Sequence, residues 1–597
     1  MAKIQAASSE TVYQIRKWLG VNENPDGDIS LKPGEAAEMR NFRITADGHL
    51  QKRPGYSEVI SLGAPCTGLW TGNVGGTEYT LAAAGGKVYR LDISAGTKTE
   101  LGAVQSGAAV HFFGYGGKVY LLDGTEYRYW DGTTYGTVAG YRPLVSVSAA
   151  PSGGGTALES VNRLNGLRRC RFSPDGTATV FQLPEKGISS VDWVKNTAGD
   201  TVAGADEYSV DPAAGTVTFG TAPEAGVNTI EIAWTFPASS RAQVASMRFS
   251  EQYNGANDNR VFLYGDGSNK TVYSGLDYNG KPTAEYFPDM NEMAVGGENT
   301  PVTGMIRQYS RLIVFKSDST YSVAYGSVTL DDGSLTAGFY VTPVNRVIGN
   351  RAPGQVRLVT NYPRSLHGGG VYEWRNGNYG LTSDERQARR ISQRVENTLS
   401  GFDPAQCVTF DNEFRQDYYI VCGDTAVIHN YTADAWFIYT DFPAAAFTMV
   451  GNELYMGTGG GAFCRVSREY MSDNGGAIDA YWRSGSMGFD REWMRKFSTM
   501  MFVTIKPESA GRVTVTAMSD RKADYTEKVI ASSLASFSLT SFSHWSFGTN
   551  RRSRVERVKL KVKKFTLYQL VLKSSAANER CTVESVDIRL RYTGYAK

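Results

Sequence analysis

The chain has 597 residues, too many for one hydrophobic core, so we expect several domains. Its 65 glycines, 34 tyrosines and 26 phenylalanines favour turns and half-buried strands, which argues against a helical protein. With 62 basic and 60 acidic residues the formal net charge is +2, which excludes a chain built as a whole to bind nucleic acid.

Residues 1–60 contain no repeat and are predicted to form an N-terminal arm that ends in a hairpin. Glu35–Arg40 is compatible with one or two helical turns. Asn41–Ile44 is predicted to be a strand, Asp47-Gly48 is a type I′ turn signal, and Leu50–Arg53 is predicted to return as the second strand.

Residues 61–141 and 243–475 contain a recurring unit of strand, glycine-rich turn and strand. Gly85-Gly86-Lys87-Val88-Tyr89 returns as Gly116-Gly117-Lys118-Val119-Tyr120. Repeated hairpins with turn signals between them are typical of radial β architectures. We therefore predict a β-propeller whose two parts occupy 61–141 and 243–475.

Residues 142–242 interrupt these repeats and are predicted to form an inserted immunoglobulin-like β-sandwich. Asp, Gly and Pro turns separate its short strand-like segments. The predicted strands are Ala178–Leu183, Ile188–Val194, Tyr208–Val210, Thr216–Phe219 and Thr229–Trp234. Because surface loops tolerate insertions, the propeller can continue after this segment.

A capping box at Thr382–Glu385 predicts a helix through Leu399 in the second part of the propeller. Arg386, Arg390 and Arg394 are spaced i, i+4 and form one stripe of this predicted helix. A subunit interface and a solvated helix face are both compatible with this stripe.

Residues 476–597 are predicted to form a C-terminal β-sandwich from segments that alternate as strands. These segments are Ala477–Met487, Met500–Lys506, Val513–Met518, Arg557–Lys563, Leu567–Lys573 and Val583–Tyr592. The predicted fold is thus all-β: a β-propeller with an inserted immunoglobulin-like β-sandwich and a C-terminal β-sandwich.

The strongest electrostatic feature is a run of eight cations with a single acid, Glu556. The cations are Arg551, Arg552, Arg554, Arg557, Lys559, Lys561, Lys563 and Lys564. Val558, Leu560 and Val562 alternate with four of them, so a strand would bury the aliphatic side chains and make its other face cationic. This face would contact DNA phosphates or an acidic neighbouring subunit, or it would be a solvated strand face whose lysines protect an edge.

No motif for catalysis, for a metal or for a cofactor emerges from the sequence. The five histidines are dispersed, the six cysteines include no CxxC pair, and there is no GxSxG elbow or phosphate-binding loop. Gly457–Ala462 matches GxGxxA, but strand follows it where a dinucleotide site requires a helix, so we interpret it as a β-turn. No apolar run has the length of a membrane helix or of a signal-peptide core, so we expect a soluble protein without membrane insertion.

The segment Leu31–Arg43, followed by Asp47–Tyr56, resembles the N-terminal region of bacteriophage tail and neck structural proteins. In these proteins an "E…NFR…DG.L.KRPG" segment precedes a propeller. Ser310–Tyr321 is similar to one of their blade hairpins, the predicted helix at 382–399 to one of their helices, and Phe181–Val227 to small β-sandwiches of phage virion proteins.

The resemblance implies a tail nozzle or hub, a ring of identical subunits, often six, at the end of a short tail or below the portal. Such a ring closes or guides the channel through which genomic DNA leaves. The implied partners are further copies of the chain, the portal or adaptor, other tail proteins and transient double-stranded DNA. The protein would assemble in the bacterial host cytoplasm, reside in the virion and need neither enzymatic activity nor a cofactor.

Two alternatives remain open. A receptor-binding or depolymerising propeller would bind host polysaccharide in a cleft lined by tryptophan and tyrosine, with paired carboxylates if it cleaves sugars. A cellular propeller that serves as a platform for protein interactions would be a stable monomer.

Overall fold

A computed structural model of the chain is built almost entirely from β-strands. It describes residues 10–23, 30–196, 207–253, 259–329, 335–375, 379–380, 383–384, 386–508, 510–523, 525–532 and 553–595. Within these residues the helical elements are the α-helices Arg241–Ala245 and Glu396–Ser400 and the 3₁₀ turns Gln393–Val395 and Pro404–Gln406. The prediction of an all-β protein is confirmed.

Seven antiparallel sheets of four strands account for most of the segments 55–137 and 249–467. Sheets 1 and 2 consist of Cys66–Val74, Thr77–Ala84, Lys87–Asp92 and Thr97–Ala103, and of His111–Tyr115, Lys118–Leu122, Tyr127–Trp130 and Tyr135–Thr137. Sheets 3 and 4 consist of Phe249–Tyr253, Arg260–Tyr264, Lys270–Tyr273 and Glu292–Ala294, and of Val302–Gln308, Arg311–Lys316, Thr320–Thr329 and Leu335–Asn345.

The remaining three sheets are also antiparallel and four-stranded. Sheets 5 and 6 consist of Arg357–Val359, Tyr362–His367, Gly370–Arg375 and Gln387–Arg390, and of Val408–Asn412, Asp417–Cys422, Thr425–Asn430 and Ala435–Tyr439. Sheet 7 consists of Ala444–Val450, Glu453–Thr458, Ala462–Ser467 and Gly55–Ser61. Its fourth strand thus comes from before sheet 1, so the beginning and the end of the repeat region share one sheet.

The first strand of each sheet contacts the first strand of the next, and that of sheet 7 contacts that of sheet 1. Polar contacts link these strands: the imidazole Nε2 of His111 lies 2.9 Å from the hydroxyl of Ser250, and the hydroxyl of Thr448 donates to that of Thr71 at 2.8 Å. The contacts between first strands therefore run in a cycle.

The glycine pairs of the repeat unit form the predicted two-residue hairpin turns. Ala84 pairs with Lys87 across the first turn, and Tyr115 pairs with Lys118 across the second. Gly85, Gly86, Gly116 and Gly117 all have positive φ, which a type I′ turn requires at both central positions.

Residues 144–235 form two separate sheets with their own hydrophobic cluster. The five-stranded sheet runs in the order Thr156–Ala157, Leu144–Ala149, Leu167–Phe172, Ile230–Thr235, Ser190–Asn196. The three-stranded sheet runs in the order Val180–Gln182, Thr216–Phe219, Tyr208–Asp211. Five of these strands coincide with predicted ones, and the three between 144 and 172 were not predicted.

Two further sheets combine both ends of the chain. One contains Phe42–Ile44, Leu50–Lys52, Thr582–Tyr595, Met494–Ile505 and Arg554–Val558, with Glu10–Ile15 on Thr582–Tyr595 and Val562–Phe565 on Met494–Ile505. The other contains Gly20–Val21, Glu35–Arg40, Ala480–Ser484, Tyr568–Ser574, Gly511–Ser519 and Lys528–Ser532. A two-stranded ribbon, Tyr379–Gly380 with Ser383–Asp384, completes the strands of the described residues.

The prediction of helical turns at Glu35–Arg40 is wrong. This segment is a strand that pairs with Gly20–Val21 and Ala480–Ser484. Neighbouring strands on both sides satisfy its backbone groups, and this tertiary pairing overrides a short local helix propensity.

Polar residues of the "NFR…KRPG" segment are buried and fasten the N-terminal hairpin to the rest of the chain. The guanidinium of Arg53 forms a bidentate pair with Asp473, at 2.9 and 2.5 Å, and donates to Asn41 Oδ1 at 2.8 Å. The amide of Asn41 donates to the carbonyl of Asp479, and Arg43 pairs with Asp417 in sheet 6 at 3.2 Å. We call Asn41, Arg43 and Arg53, together with the carboxylates of Asp417 and Asp473, the hairpin clamp.

Candidate functional site

The predicted alternation of the C-terminal cationic segment is confirmed. Val558, Leu560 and Val562 are buried, with exposed fractions of 4%, 3% and 0%. The cations that alternate with them are exposed. We call Arg557, Lys559, Lys561, Lys563 and Lys564 the lysine row. Arg554 is also exposed, whereas Arg551 and Arg552 lie outside the described residues.

The lysine row lies at a sheet edge that carries a bulge, and the predicted continuous strand Arg557–Lys563 is wrong. Arg554–Val558 and Val562–Phe565 both pair with Met494–Ile505. Between the pairs Met501–Val558 and Ser498–Val562 the edge advances four residues and its neighbour three. An extra residue at an edge increases the local twist and hinders pairing with another sheet.

No carboxylate neutralises the lysine row among the residues that the structure describes. Its cations form no ion pair there, and the adjacent strand Met494–Ile505 contains no acidic residue. Cross-strand partners include Phe502 for Arg557 and Phe497 for Lys563. Within the described residues, the positive charge of this edge is therefore not compensated.

The helix predicted from 382 to 399 is wrong over most of its length. Gln387–Arg390 is the fourth strand of sheet 5, and α-helix begins only at Glu396. Ala388 pairs with Trp374 and packs on the apolar cluster around Phe315, so burial in a sheet decides the structure of this segment. Of the capping box, Thr382 and Glu385 lie outside the described residues.

The predicted arginine stripe is consequently not formed. Arg386 is buried, with 5% of its surface exposed, and so is not available to a partner. Arg390 and Arg394 instead line a cleft of about 440 Å³ between sheets 5 and 6, which we call the arginine cleft. Its lining comprises Thr360, Tyr362, Arg364, Glu373, Arg375, Arg389, Arg390, Ile391, Gln393, Arg394, His429, Tyr431, Asp434 and Trp436.

Ion pairs neutralise most of the charge in the arginine cleft. Glu373 accepts from Arg364 at 3.1 Å and from Arg375 at 3.0 Å. Arg390 pairs with Glu396 at 2.9 Å, and the Arg394 guanidinium lies 4.0 Å from Asp434. Among the described residues, four arginines of the cleft thus share three carboxylates, and Arg389 is left without an ion pair.

His429 at the base of this cleft has a defined tautomer. Arg364 Nη1 lies 3.1 Å from His429 Nδ1, and because a guanidinium only donates, Nδ1 must accept. The proton is then on Nε2, 3.3 Å from Asp434 Oδ1. Burial lowers the pKa of His429, so the imidazole is neutral at pH 7.

Three titratable residues on first strands lie around Arg357. We call them the Arg357 cluster, and no sequence motif indicates it. Burial raises the pKa of Glu251 to about 7, and burial followed by Glu413 raises that of Asp411 to about 7. Burial, together with the nearby charge of Arg357, lowers the pKa of His111 to about 4. The residues come from sheets 2, 3, 5 and 6 and stand in no common motif, so only the fold brings them together.

The described part of the chain contains neither a cluster of metal ligands nor a membrane-spanning helix. No group of three or more His, Cys, Asp or Glu side chains there could hold a metal ion. No helix in those ranges is long and apolar enough to cross a membrane.

Comparison with known proteins gives no family. No family model matches the chain, and no curated protein matches it. Among solved structures, the computationally designed Ika8 protein is 12% identical with a TM-score of 0.31, covering 69% of this chain and 99% of that chain. A chain of the mitotic checkpoint complex is 10% identical with a TM-score of 0.31, covering 72% of this chain and 93% of that chain. Likeness at this level assigns neither a fold nor a function.

Proposed function

We propose that the chain is a structural component of a bacteriophage virion, a ring at the tail nozzle or hub that closes or guides the DNA exit channel. The ring would connect the portal or adaptor to distal tail parts and would have no enzymatic activity. The resemblance of the "NFR…KRPG" segment supports this assignment. Asn41, Arg43 and Arg53 of this segment are buried in the hairpin clamp. Because buried polar groups need hydrogen-bond partners, these positions require side chains that form the bonds of the clamp.

The architecture proposed for the subunit is a seven-bladed β-propeller. The seven four-stranded sheets and the cyclic contacts of their first strands support it. Gly55–Ser61, as the outer strand of the last sheet, would link the two ends of the propeller. Residues 142–242 would be a sandwich inserted between the second and third blades, and 476–597 a C-terminal sandwich completed by the N-terminal strands.

We propose the lysine row as the surface that contacts DNA. A charged edge that forms no ion pair among the described residues suits a partner that carries several negative charges. Phosphates of DNA in the channel are the partner that we propose, since cations on phosphates give affinity without sequence preference. An acidic surface of a neighbouring subunit is the other outcome of the test.

The ring is tested first, by mass photometry and negative-stain imaging of the purified chain with and without duplex DNA. We expect closed rings with a mass near six times the 65.2 kDa of the chain. A monomer that persists at micromolar concentration in both conditions would contradict the ring.

The role of the lysine row is tested by the salt dependence of duplex binding. The triple variant K559Q/K561Q/K563Q should lower the slope of log affinity against log salt by about 3, because each phosphate contact contributes about 0.9. The control R90Q/K281Q/K506Q removes the same charge from exposed residues elsewhere and should change the slope less. Equal slopes for both variants would exclude the row as the DNA contact.

The arginine cleft supports a second candidate, binding of an acidic glycan. Tyr362 and Tyr431, which are half-buried, provide aromatic surface beside the arginines, and Arg389 forms no ion pair among the described residues. A glycan array would decide between the candidates. Binding of uronic-acid polymers that is lost in R389Q favours this second function, whereas an array without hits removes it.

A further inference from the structure

A second cationic cavity lies under the N-terminal hairpin and is larger than the arginine cleft. Its volume is about 620 Å³, and segments from distant parts of the chain form its wall. Lys17 comes from the N-terminal arm, Arg43 from the hairpin, Phe414 and Arg415 from the first turn of sheet 6, and Arg468 from the end of sheet 7. We call it the hairpin cavity.

The charge of the hairpin cavity is poorly compensated. Among the residues that the structure describes, four cations and no acidic residue line it. Arg43 is 3% exposed and pairs with Asp417 behind the wall. The side chains of Lys17, Arg415 and Arg468 form no ion pair within the described ranges, and Arg415 Nη1 is buried without a hydrogen-bond partner.

The positive charges that line the hairpin cavity repel one another. Partial burial lowers the pKa of Arg468, and the nearby guanidinium groups of Arg43 and Arg415 lower it further, more than Asp417 raises it. Gathering cations in this way costs free energy unless an anion offsets it. The arginine cleft, whose cations share three carboxylates, shows the opposite arrangement within the same chain.

We propose that the hairpin cavity binds a phosphate group through Arg415, Arg468 and Lys17. Guanidinium groups present forked donors that match the oxygens of a phosphate, and three uncompensated cations suit a dianion better than a single carboxylate. A liquid water takes about 30 Å³, so the cavity also has room for the remainder of a phosphate ester or a second phosphate. Phe414, which is 63% exposed, offers an apolar surface to that remainder.

The test is isothermal titration of the full chain with sodium pyrophosphate, at constant ionic strength maintained with sodium chloride. We expect saturable binding at one site per chain that R468Q and R415Q each weaken by about tenfold, the loss of one charge-assisted contact. The control R90Q removes an exposed arginine that does not line the cavity and should leave the affinity unchanged. Absence of binding at millimolar pyrophosphate, or equal affinities in R468Q, R415Q and R90Q, would overturn the proposal.

A second titration with a 20-base-pair duplex identifies the source of the phosphate. Duplex affinity that falls in R468Q, combined with pyrophosphate competition, would assign the cavity to the backbone of DNA. Duplex affinity that is unaffected by R468Q leaves small phosphate compounds as the source. The variant K559Q/K561Q/K563Q should bind pyrophosphate normally, so failure of this proposal and failure of the role of the lysine row are distinguishable. Because Arg468 is exposed, R468Q should fold even if R415Q does not.

Discussion

The hairpin clamp and the lysine row use positive charge in opposite ways. In the clamp, Arg53 has a fully buried side chain whose carboxylate partner, Asp473, is 8% exposed. In the row, the cations are exposed and have no carboxylate on the neighbouring strand. Buried cations that are paired hold distant segments of this chain together, whereas unpaired cations at an edge add little to stability and are free to bind a partner.

The largest effect is expected from breaking the clamp. R53M leaves Asp473 without its guanidinium partner in a buried position and should lower the free energy of unfolding by about 3–5 kcal/mol. Asn41 loses the donor to its Oδ1 as well. Urea unfolding followed by tryptophan fluorescence measures the change.

The matched control for the clamp is R90M, which removes an exposed arginine and should change the free energy of unfolding by less than about 0.5 kcal/mol. The double variant R53M/D473L removes both charges and should recover part of the loss, because no uncompensated carboxylate remains. Equal stability of R53M and R90M would show that the clamp does not hold the hairpin.

In the Arg357 cluster a buried carboxylate, rather than a cation, makes stability depend on charge. The pKa of Glu251 rises from its ordinary 4.5 to about 7 on folding, so its stabilising contribution is complete below about pH 4.5 and is lost as the pH rises through 7. At pH 8 the free energy of unfolding of E251Q should therefore exceed that of the native chain by an amount on the order of 2 kcal/mol. At pH 4.5 the two free energies should be similar.

Thermal unfolding between pH 4.5 and 8 measures this dependence. E78Q, at an exposed position, is the control and should follow the native profile. A profile of E251Q parallel to that of the native chain would mean that Glu251 is ionised in the folded protein at neutral pH.

Sequence reasoning succeeded where one short segment decides the structure. The Gly85-Gly86 turn follows from local backbone chemistry, and the alternation around Leu560 follows from a period of two. It failed for Glu35–Arg40 and for the predicted helix around Arg390, where pairing with strands of other segments decided the outcome.

The clamp and the hairpin cavity could not be predicted for a related reason. Arg53 and Asp473 are 420 residues apart, and Arg43 and Arg468 are separated by nearly the whole repeat region. The sequence marked Arg43 and Arg53 only through the "NFR…KRPG" pattern and could not show which carboxylate each one meets. Arg415 and Arg468 stand in no motif, so only the fold shows that they line one cavity.

The smallest effect on stability is expected from substitutions in the lysine row. These substitutions distinguish an edge that binds DNA from an edge whose lysines only prevent pairing with another sheet. Because these lysines are exposed and form no ion pairs among the described residues, K559E/K561E/K563E should change the free energy of unfolding by less than about 0.5 kcal/mol. Light scattering should show that the variant stays soluble, since glutamates also oppose pairing of sheet edges, but its duplex binding should be lost. Retained duplex binding would mean that the row only protects the edge, whereas a large loss of stability would mean that its charges act within the fold.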